Sequence, residues 1–198
     1  MANSKLSLIN NALILIGDVP LTSLTSGTRA QVVATSLYDN IIENELSKHR
    51  WGFARKIVQL SLDAAVPVGN EWQAKYTLPA DLLALIKLDP SINYQIIENK
   101  VYCNMGIQPT VAIPEPNNPP LFCDYINKPS EADWPAYFAK MIEYALAMDF
   151  APSIRDSASS MQTLANQYLN ASRMARYTDS QQHPQVAIQD RPFINVRY

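Results

Sequence analysis

Four acidic residues are candidates for general acid or base chemistry: Glu43, Glu45, Asp81 and Glu143. Hydrolysis of a glycosidic bond usually needs two carboxyl groups that flank the scissile bond. Glu43 and Asp81 are a pair that could serve a hydrolase of this kind, although no pairing can be inferred from the sequence. Solvated helix faces are the favoured explanation for all four carboxylates, and a glycan hydrolase is kept as an alternative hypothesis.

The thiols and imidazoles do not form a recognisable reactive or metal-binding pattern. Two cysteines, Cys103 and Cys123, and two histidines are spread along the chain without zinc-ligand spacing. Either thiol beside His49 would make a nucleophilic pair, but no neighbouring residue predicts a lowered thiol pKa. Two buried strand thiols are favoured. The five glycines form no phosphate-binding loop, so we expect neither a cofactor nor an enzyme.

The charge of the chain argues against nucleic-acid binding. Charged residues make up 17% of the sequence, with 16 basic and 18 acidic side chains and a net charge of −2. No basic block stands out, and such a block is the electrostatic signature of a nucleic-acid binder. A surface with few charges is compatible with large protein contacts, whose centres are depleted of charge.

Four aromatic residues are candidates for a stacking platform: Trp51, Phe53, Trp72 and Trp134. Nucleotide bases stack on such rings in single-strand binders, but here no basic residues are interleaved with them. Packing in the core or against another subunit is therefore favoured, and the four residues are predicted to be structural anchors. Trp51 and Phe53 lie where a helical pattern ends and a strand-like alternation begins.

Apolar periodicity predicts four helices. The first covers residues 5–16 after a Ser4 cap, and the second about 28–48, where Thr28 and Gln31 form a capping box. The short connection predicts that these two helices are antiparallel neighbours. The third helix starts at Pro135 and stops near Phe150, before Pro152, and the fourth covers about 157–177.

Alternating apolar residues between the second and third helices predict about five or six short strands. Residues 72–78 form one strand, and residues 80–85 make a helical turn before the next. Residues 94–97 and 101–103 form a hairpin around Glu98, Asn99 and Lys100. The fold class is therefore α+β: an antiparallel bundle of about four helices with a small inserted antiparallel β domain and an extended C-terminal tail.

The predicted boundaries divide the chain into three parts. Residues 1–50 and 131–177 form the helical bundle, 51–130 the inserted β domain, and 178–198 the tail. In the tail, Ile194, Val196 and Tyr198 alternate with polar residues, as in a strand that adds to a neighbouring chain. Folding of the tail back onto its own domain is the equally favoured alternative.

Several motifs resemble the tail tubular protein A family of phage head-to-tail adaptors. The similarity spans about residues 6–175. It rests on the order and spacing of four motifs: Leu13-Ile14-Leu15-Ile16-Gly17-Asp18-Val19-Pro20, His49-Arg50-Trp51-Gly52-Phe53-Ala54, Tyr76-Thr77-Leu78-Pro79-Ala80-Asp81-Leu82 and Asp133-Trp134-Pro135.

The resemblance implies a structural virion protein that joins the portal to the tail nozzle as a homo-dodecameric ring. Double-stranded DNA would pass through the ring without specific binding, and no membrane is involved. Such a protein would be made and assembled in the host cytoplasm, consistent with an apolar run at residues 13–16 that is too short for a signal peptide. The resemblance also implies that the tail docks on the portal, and the residues predicted for this are Arg191, Phe193, Ile194, Val196, Arg197 and Tyr198.

Overall fold

The computed structural model describes residues 3–63, 71–72, 74–104, 120–155 and 158–182. Within these ranges the chain is α+β, as predicted, with four α-helices and antiparallel sheets. The helices are α1 (Lys5–Leu15), α2 (Arg29–Ser47), α3 (Ala136–Ile154) and α4 (Ala158–Gln181). Short 3₁₀ turns occupy Gly52–Ala54 and Glu131–Asp133.

The predicted starts of the first two helices are confirmed. The Ser4 hydroxyl accepts the Ser7 N–H at 3.2 Å, and the Ser7 hydroxyl accepts the Ser4 N–H at 2.9 Å. Thr28 accepts the Gln31 N–H at 3.2 Å. The Gln31 side chain reaches back as predicted, although it accepts the N–H of Gly27 rather than that of the cap residue. Both caps satisfy N–H groups that have no partner within the helix.

Helix α3 is the centre of the helical layer and packs closely against α1, α2 and α4. The short connection predicts that α1 and α2 are direct neighbours. Lys5 of α1 does pair with Asp39 of α2 at 2.9 Å, but the most extensive helix packing of both is against α3. The predicted stop before Pro152 is wrong, because α3 continues through this proline to Ile154. Phe150 and Ala151 are fully buried on the core side. Burial of this turn outweighs the hydrogen bond that a proline cannot donate.

The seven strands of the described residues form two antiparallel sheets. The strands are β1 (Arg55–Gln59), β2 (Ser61–Leu62), β3 (Ala74–Thr77), β4 (Leu82–Asp89), β5 (Tyr94–Ile97), β6 (Lys100–Cys103) and β7 (Phe122–Asn127). The central sheet has the order β1-β7-β4, and the outer sheet has the order β2-β3-β6-β5. The predicted hairpin is confirmed as β5 and β6, with Glu98 at φ 48° and Asn99 at φ 63° in the turn.

Two strand predictions are corrected by the structure. The helical turn predicted for residues 80–85 is wrong, because β4 already begins at Leu82 and pairs with β7. Pairing with a buried strand overrides the local helical preference of this Ala- and Leu-containing segment. The strand predicted from Trp72 begins at Ala74 instead.

Strand β7 separates two apolar cores. Ile126 belongs to the core under the helices, whereas Cys123 and Tyr125 belong to the core between the two sheets. The buried Asp124 on this strand is held by Arg55, whose Nε and Nη2 donate to it at 2.7 and 2.6 Å. Helices, central sheet and outer sheet therefore form three successive layers.

The C-terminal boundary also differs from the prediction. Helix α4 continues to Gln181, four residues past the predicted end at Tyr177. The remaining tail from residue 183 onward, which contains all six predicted docking residues, lies outside the described residues.

Candidate functional site at the helix-to-sheet junction

The chain turns from the helical layer into the central sheet within a few residues. Helix α2 ends at Ser47, a 3₁₀ turn follows at Gly52–Ala54, and β1 starts at Arg55. The Trp51 N–H donates to the His49 carbonyl at 3.0 Å, and the Ala54 N–H donates to the Trp51 carbonyl at 3.2 Å. These bonds hold His49 and Trp51 in one fixed turn between two layers.

Three of the four predicted anchors meet at this turn. Trp51 is 1% exposed, and its indole N–H donates to the Glu45 carbonyl at 3.0 Å. The rings of Trp51, Phe53 and Trp134 lie with centroids 5.0, 4.8 and 5.1 Å from that of Phe138. Tilted and edge-to-face contacts of this kind stabilise beyond their buried area. The sequence pattern does not identify Phe138 as the ring that the three anchors share.

Trp72, the fourth predicted anchor, lies away from this cluster. It is half-buried beside the outer sheet, where its indole N–H donates to the Gln95 Oε1 at 3.1 Å. It lines a cavity of about 320 Å³ together with Glu71, Ile92, Asn93 and Asn104. Trp72 therefore belongs to the outer sheet and not to the junction.

A buried carboxylate joins the last turn of α4 to the junction. Asp179 is 2% exposed and accepts the Gly52 N–H at 3.2 Å on both oxygens. The Tyr137 hydroxyl donates to it at 2.9 Å, and the His49 Nε2 lies 3.5 Å from it. Burial, followed by the hydrogen bond to Asp179, raises the pKa of Tyr137. The hydroxyl therefore stays protonated and donating at neutral pH.

Asp179 is absent from the sequence-based candidates, although a signal for it exists. Along the fourth helix, Leu164, Tyr168, Ala171 and Ala175 recur in steps of three or four, and one more step of four reaches Asp179. Because the predicted helix ends at Tyr177, Asp179 falls outside it. An acidic residue on the buried face of a helix needs partners, and it therefore predicts a contact between elements.

A second buried carboxylate, Glu45, connects α2 to α4. It is 4% exposed, and it accepts the Lys48 ammonium at 2.6 Å and the Tyr168 hydroxyl at 2.7 Å. The prediction that Glu45 lies on a solvated helix face is therefore wrong. Asp149 on α3 lies near this pair, and burial followed by the charge of Glu45 raises its pKa.

The predicted hydrolase residues are held by separate lysines. Glu43 accepts from Lys128 at 3.2 Å, whereas Asp81 accepts from Lys56 and from the Tyr125 hydroxyl, both at 2.8 Å. The hydrogen bond from Lys56 lowers the pKa of Asp81. A general acid needs a raised pKa, so this environment suits Asp81 to an ion pair. This environment does not suit Asp81 to the general-acid role in a glycan hydrolase.

The two thiols are buried within the sheets, as predicted. Burial raises the pKa of Cys123 to about 11, and a thiol with such a pKa is a poor nucleophile at neutral pH. The His49 imidazole lies 3.5 Å from the Asp179 carboxylate on α4. Among the described residues, no group of three or more His, Cys, Asp and Glu side chains is placed to hold a metal ion.

A larger cavity, of about 530 Å³, lies between the loop after α1 and the start of α2. Its lining includes two arginines, Arg29 and Arg155, together with Asp18 and hydroxyl-bearing residues. The Arg155 Nη2 lies 3.5 Å from the position that a Cβ would take on Gly17, whose φ is +74°. A side chain at Gly17 would therefore be strained in φ, whereas its Cβ would make only an ordinary van der Waals contact with this guanidinium.

None of the described helices combines the length and the apolar character that crossing a membrane would require. Comparison with known proteins finds no matching family model for this sequence. It also finds no match among curated proteins.

Proposed function

We propose that the protein is a structural virion component, a head-to-tail adaptor ring that joins the portal to the tail nozzle and surrounds the DNA ejection channel. In this proposal it is a member of the tail tubular protein A family and not an enzyme. Residues 1–50 and 131–177 would act as a helical bundle, and residues 51–130 as an inserted β domain. Double-stranded DNA would pass through the ring without specific binding.

The observation that carries the proposal is that α4 is buried on one face and exposes apolar side chains on the other. Its inner face is buried on α3, and its last turn is fixed by Asp179. Its outer face leaves three large apolar side chains more than one third exposed: Leu169, Met174 and Tyr177. Exposed apolar surface of this kind is typical of a contact with another protein. The face lies directly before the tail, whose residues Arg191, Phe193, Ile194, Val196, Arg197 and Tyr198 are the proposed portal-docking segment.

The positive charges near the junction support a surface that does not retain DNA. Lys5 and Lys128 both bind Asp39, at 2.9 and 2.7 Å. Arg55 is neutralised by Asp124. A protein holds DNA by releasing counterions from the phosphates with free basic side chains, so paired cations weaken such binding.

The decisive experiment is assembly with the cognate portal, followed by measurement of the mass of the complex. The structure determines where the tail must be cut. Truncation after Tyr177 would remove Asp179 and with it the hydrogen bonds that fix the last turn of α4, so the truncation is placed after Gln182. We expect the chain truncated after Gln182 to remain folded and to lose portal binding.

A matched control is the full-length Ser180→Ala variant, which changes an exposed side chain of the same helical turn and keeps the tail. It should bind the portal as the wild type does. A portal-bound ring formed by the chain truncated after Gln182 would show that the tail is not the docking segment. Failure of the full-length protein to bind any portal or nozzle protein would contradict the adaptor function itself.

A further inference from the structure

Strand β5 forms one edge of the outer sheet. The sheet order β2-β3-β6-β5 leaves only one neighbour for Tyr94–Ile97 among the described strands. All four of its residues are exposed, and three of them are large and apolar: Tyr94, Ile96 and Ile97. An edge strand of this composition is a template for another strand.

The hairpin geometry fixes which backbone groups of β5 face outward. Glu98 and Asn99 both have positive φ, as in a two-residue type I′ turn, and Ile97 is paired with Lys100. The pair next to such a turn exchanges its hydrogen bonds, and the pairs alternate from there. The N–H and C=O groups of Ile96 and Tyr94 therefore point away from β6. No strand among the described residues pairs with them on that side.

The inner face of the outer sheet is incomplete at this edge. One row of paired residues runs Ala74, Cys103, Tyr94, with exposures of 2%, 0% and 41%. The next row runs Tyr76, Val101, Ile96, with exposures of 4%, 0% and 46%. Both rows start in the core and end in solvent on a large apolar side chain. One more strand with apolar residues at alternate positions would cover both ends.

The sequence of this edge strand lacks the residue types that usually prevent pairing. Natural edge strands carry a proline, a lysine or an inward-pointing charge that prevents the addition of a strand. The segment Tyr94–Ile97 contains none of these. By contrast, β1 at the edge of the central sheet carries Arg55 and Lys56.

We propose that residues 193–198 of a second copy of this chain add to β5 as an extra strand. Ile194, Val196 and Tyr198 supply apolar side chains at alternate positions, and Asn195 and Arg197 would face solvent. Apolar side chains at alternate positions are what the two rows ending at Tyr94 and Ile96 need for their completion.

The charges flanking the two segments are complementary. Within and next to the added strand the tail carries Arg197 and Arg191, the latter preceded by Asp190. The edge is flanked by Glu98 in the hairpin turn and by Glu71, which lines the cavity beside Trp72. Opposite charges at the two partners favour this pairing over the pairing of two β5 edges, which would bring like charges together.

The position of the tail favours a neighbouring copy as the donor, and its length is sufficient. The apolar alternation begins about twelve residues after the end of α4, a stretch that spans up to about 40 Å when extended. The end of α4 is fixed on the helical side of the central sheet, whereas β5 lies in the outer sheet. A neighbour's tail reaches this edge without crossing the layers of its own molecule.

The inference goes beyond the proposed adaptor function and can fail separately from it. A tail seated on β5 would leave it when the same residues dock on the portal. Contact between copies and binding to the portal therefore use different surfaces on the receiving side. A substitution in β5 should weaken the contact between copies and leave binding to the portal intact.

The test measures the mass of the full-length protein by sedimentation velocity over a range of concentrations. The wild type should self-associate, and Ile96→Lys and Val196→Lys should each weaken the association about tenfold or more, because each removes one apolar contact of the strand. Ile57→Lys is the matched control, since Ile57 is an exposed isoleucine on the β1 edge. It should leave self-association unchanged, and circular dichroism should show that all three variants are folded.

Mixing Ile96→Lys with Val196→Lys tests whether the tail of one copy binds the β5 edge of another. Ile96→Lys retains an intact tail, and Val196→Lys retains an intact β5. The mixture should therefore form a mixed dimer in which the tail of the first variant binds β5 of the second. A monomeric wild type at all concentrations, as expected if the tail folds onto its own domain, would overturn the proposal. So would full self-association of Val196→Lys, the result expected for pairing of two β5 edges, or an equal effect of Ile57→Lys.

Portal binding provides the independent readout. An Ile96→Lys protein that no longer self-associates should still bind the portal through its tail. If Ile96→Lys self-associates as the wild type does while the portal complex forms normally, the strand exchange is wrong and the adaptor function stands.

Discussion

The carboxylate of Asp179 accepts the backbone N–H of Gly52 across 127 positions of sequence, at 3.2 Å on each oxygen. This contact ties the end of the last described helix to the turn between the helical layer and the central sheet. It fixes the point from which the tail continues. Its loss would free the last turn of α4 from the junction.

Asp179→Ala should reduce the free energy of unfolding by about 1–3 kcal/mol, because the Gly52 N–H and the Tyr137 hydroxyl lose a buried acceptor. Urea unfolding measures the effect. The neighbouring Ser180→Ala is the control and should change stability by less than about 0.5 kcal/mol. Equal stabilities of the two variants would contradict the role of Asp179 as a lock.

Trp51→Ala should cost about 3–5 kcal/mol, because it removes a fully buried ring and leaves a cavity beside Phe138. Trp72→Ala should cost less, about 1–2 kcal/mol, because this ring is only half-buried. Thermal unfolding of both variants gives the comparison. A larger loss for Trp72 than for Trp51 would mean that the junction is not the main aromatic anchor.

Tyr168→Phe should cost about 1–3 kcal/mol, because the buried Glu45 loses the hydroxyl that donates to it at 2.7 Å. Tyr177→Phe, on the same helix but 59% exposed, is the matched control and should be close to neutral. Chemical denaturation of the pair separates the hydrogen bond from a general effect of removing a hydroxyl. A neutral Tyr168→Phe would show that Lys48 alone satisfies Glu45.

Asp149→Asn should stabilise the protein at neutral pH. Burial and the charge of Glu45 raise the folded-state pKa of Asp149 above the unfolded value of about 3.9. Above the raised pKa the native state holds a charge that it disfavours, so stability is lost as the pH rises through that value. The gain in Tm should be largest at neutral pH and should shrink as the pH falls towards the unfolded pKa.

The control for this pH dependence is Asp133→Asn, at an exposed site. It should show no comparable rise in Tm at neutral pH. A Tm gain for Asp149→Asn that is independent of pH would point to packing of the amide instead of removal of a charge.

Duplex DNA should not be retained by the immobilised protein at physiological ionic strength. The net charge is −2, and Lys5, Lys48 and Lys128 are held by carboxylates. A basic protein of similar size is the positive control. Retention that weakens steeply with added salt would indicate phosphate contacts and would favour a DNA-binding module.

Local signals predicted the caps and the hairpin well. Ser4, Thr28 and the Glu98-Asn99 turn act through neighbours a few residues away, so a single sequence contains the whole interaction. The strand at Leu82 and the helix through Pro152 were predicted wrongly, because distant partners determine both. Leu82 is drawn into a strand by Asn127, and the Pro152 turn is held by the burial of Phe150 and Ala151.

The candidate site was predicted in part. The junction at Trp51 was identified from the change of period, but the carboxylates that secure it were not. Asp179 and Glu45 resemble ordinary surface acids in the sequence, and only their position on buried helix faces distinguishes them. Their partners Gly52 and Tyr168 lie more than a hundred residues away, beyond the reach of any spacing rule.

The double burial of β7 has a consequence for how the protein comes apart. Since this strand lines both apolar cores, loss of the helical layer would expose one side of it to water, and loss of the outer sheet would expose the other side. Heat or denaturant should therefore produce a single cooperative transition across all three layers. A pulling force applied to the helical layer or to the outer sheet would be transmitted to the other layer through the six residues of β7.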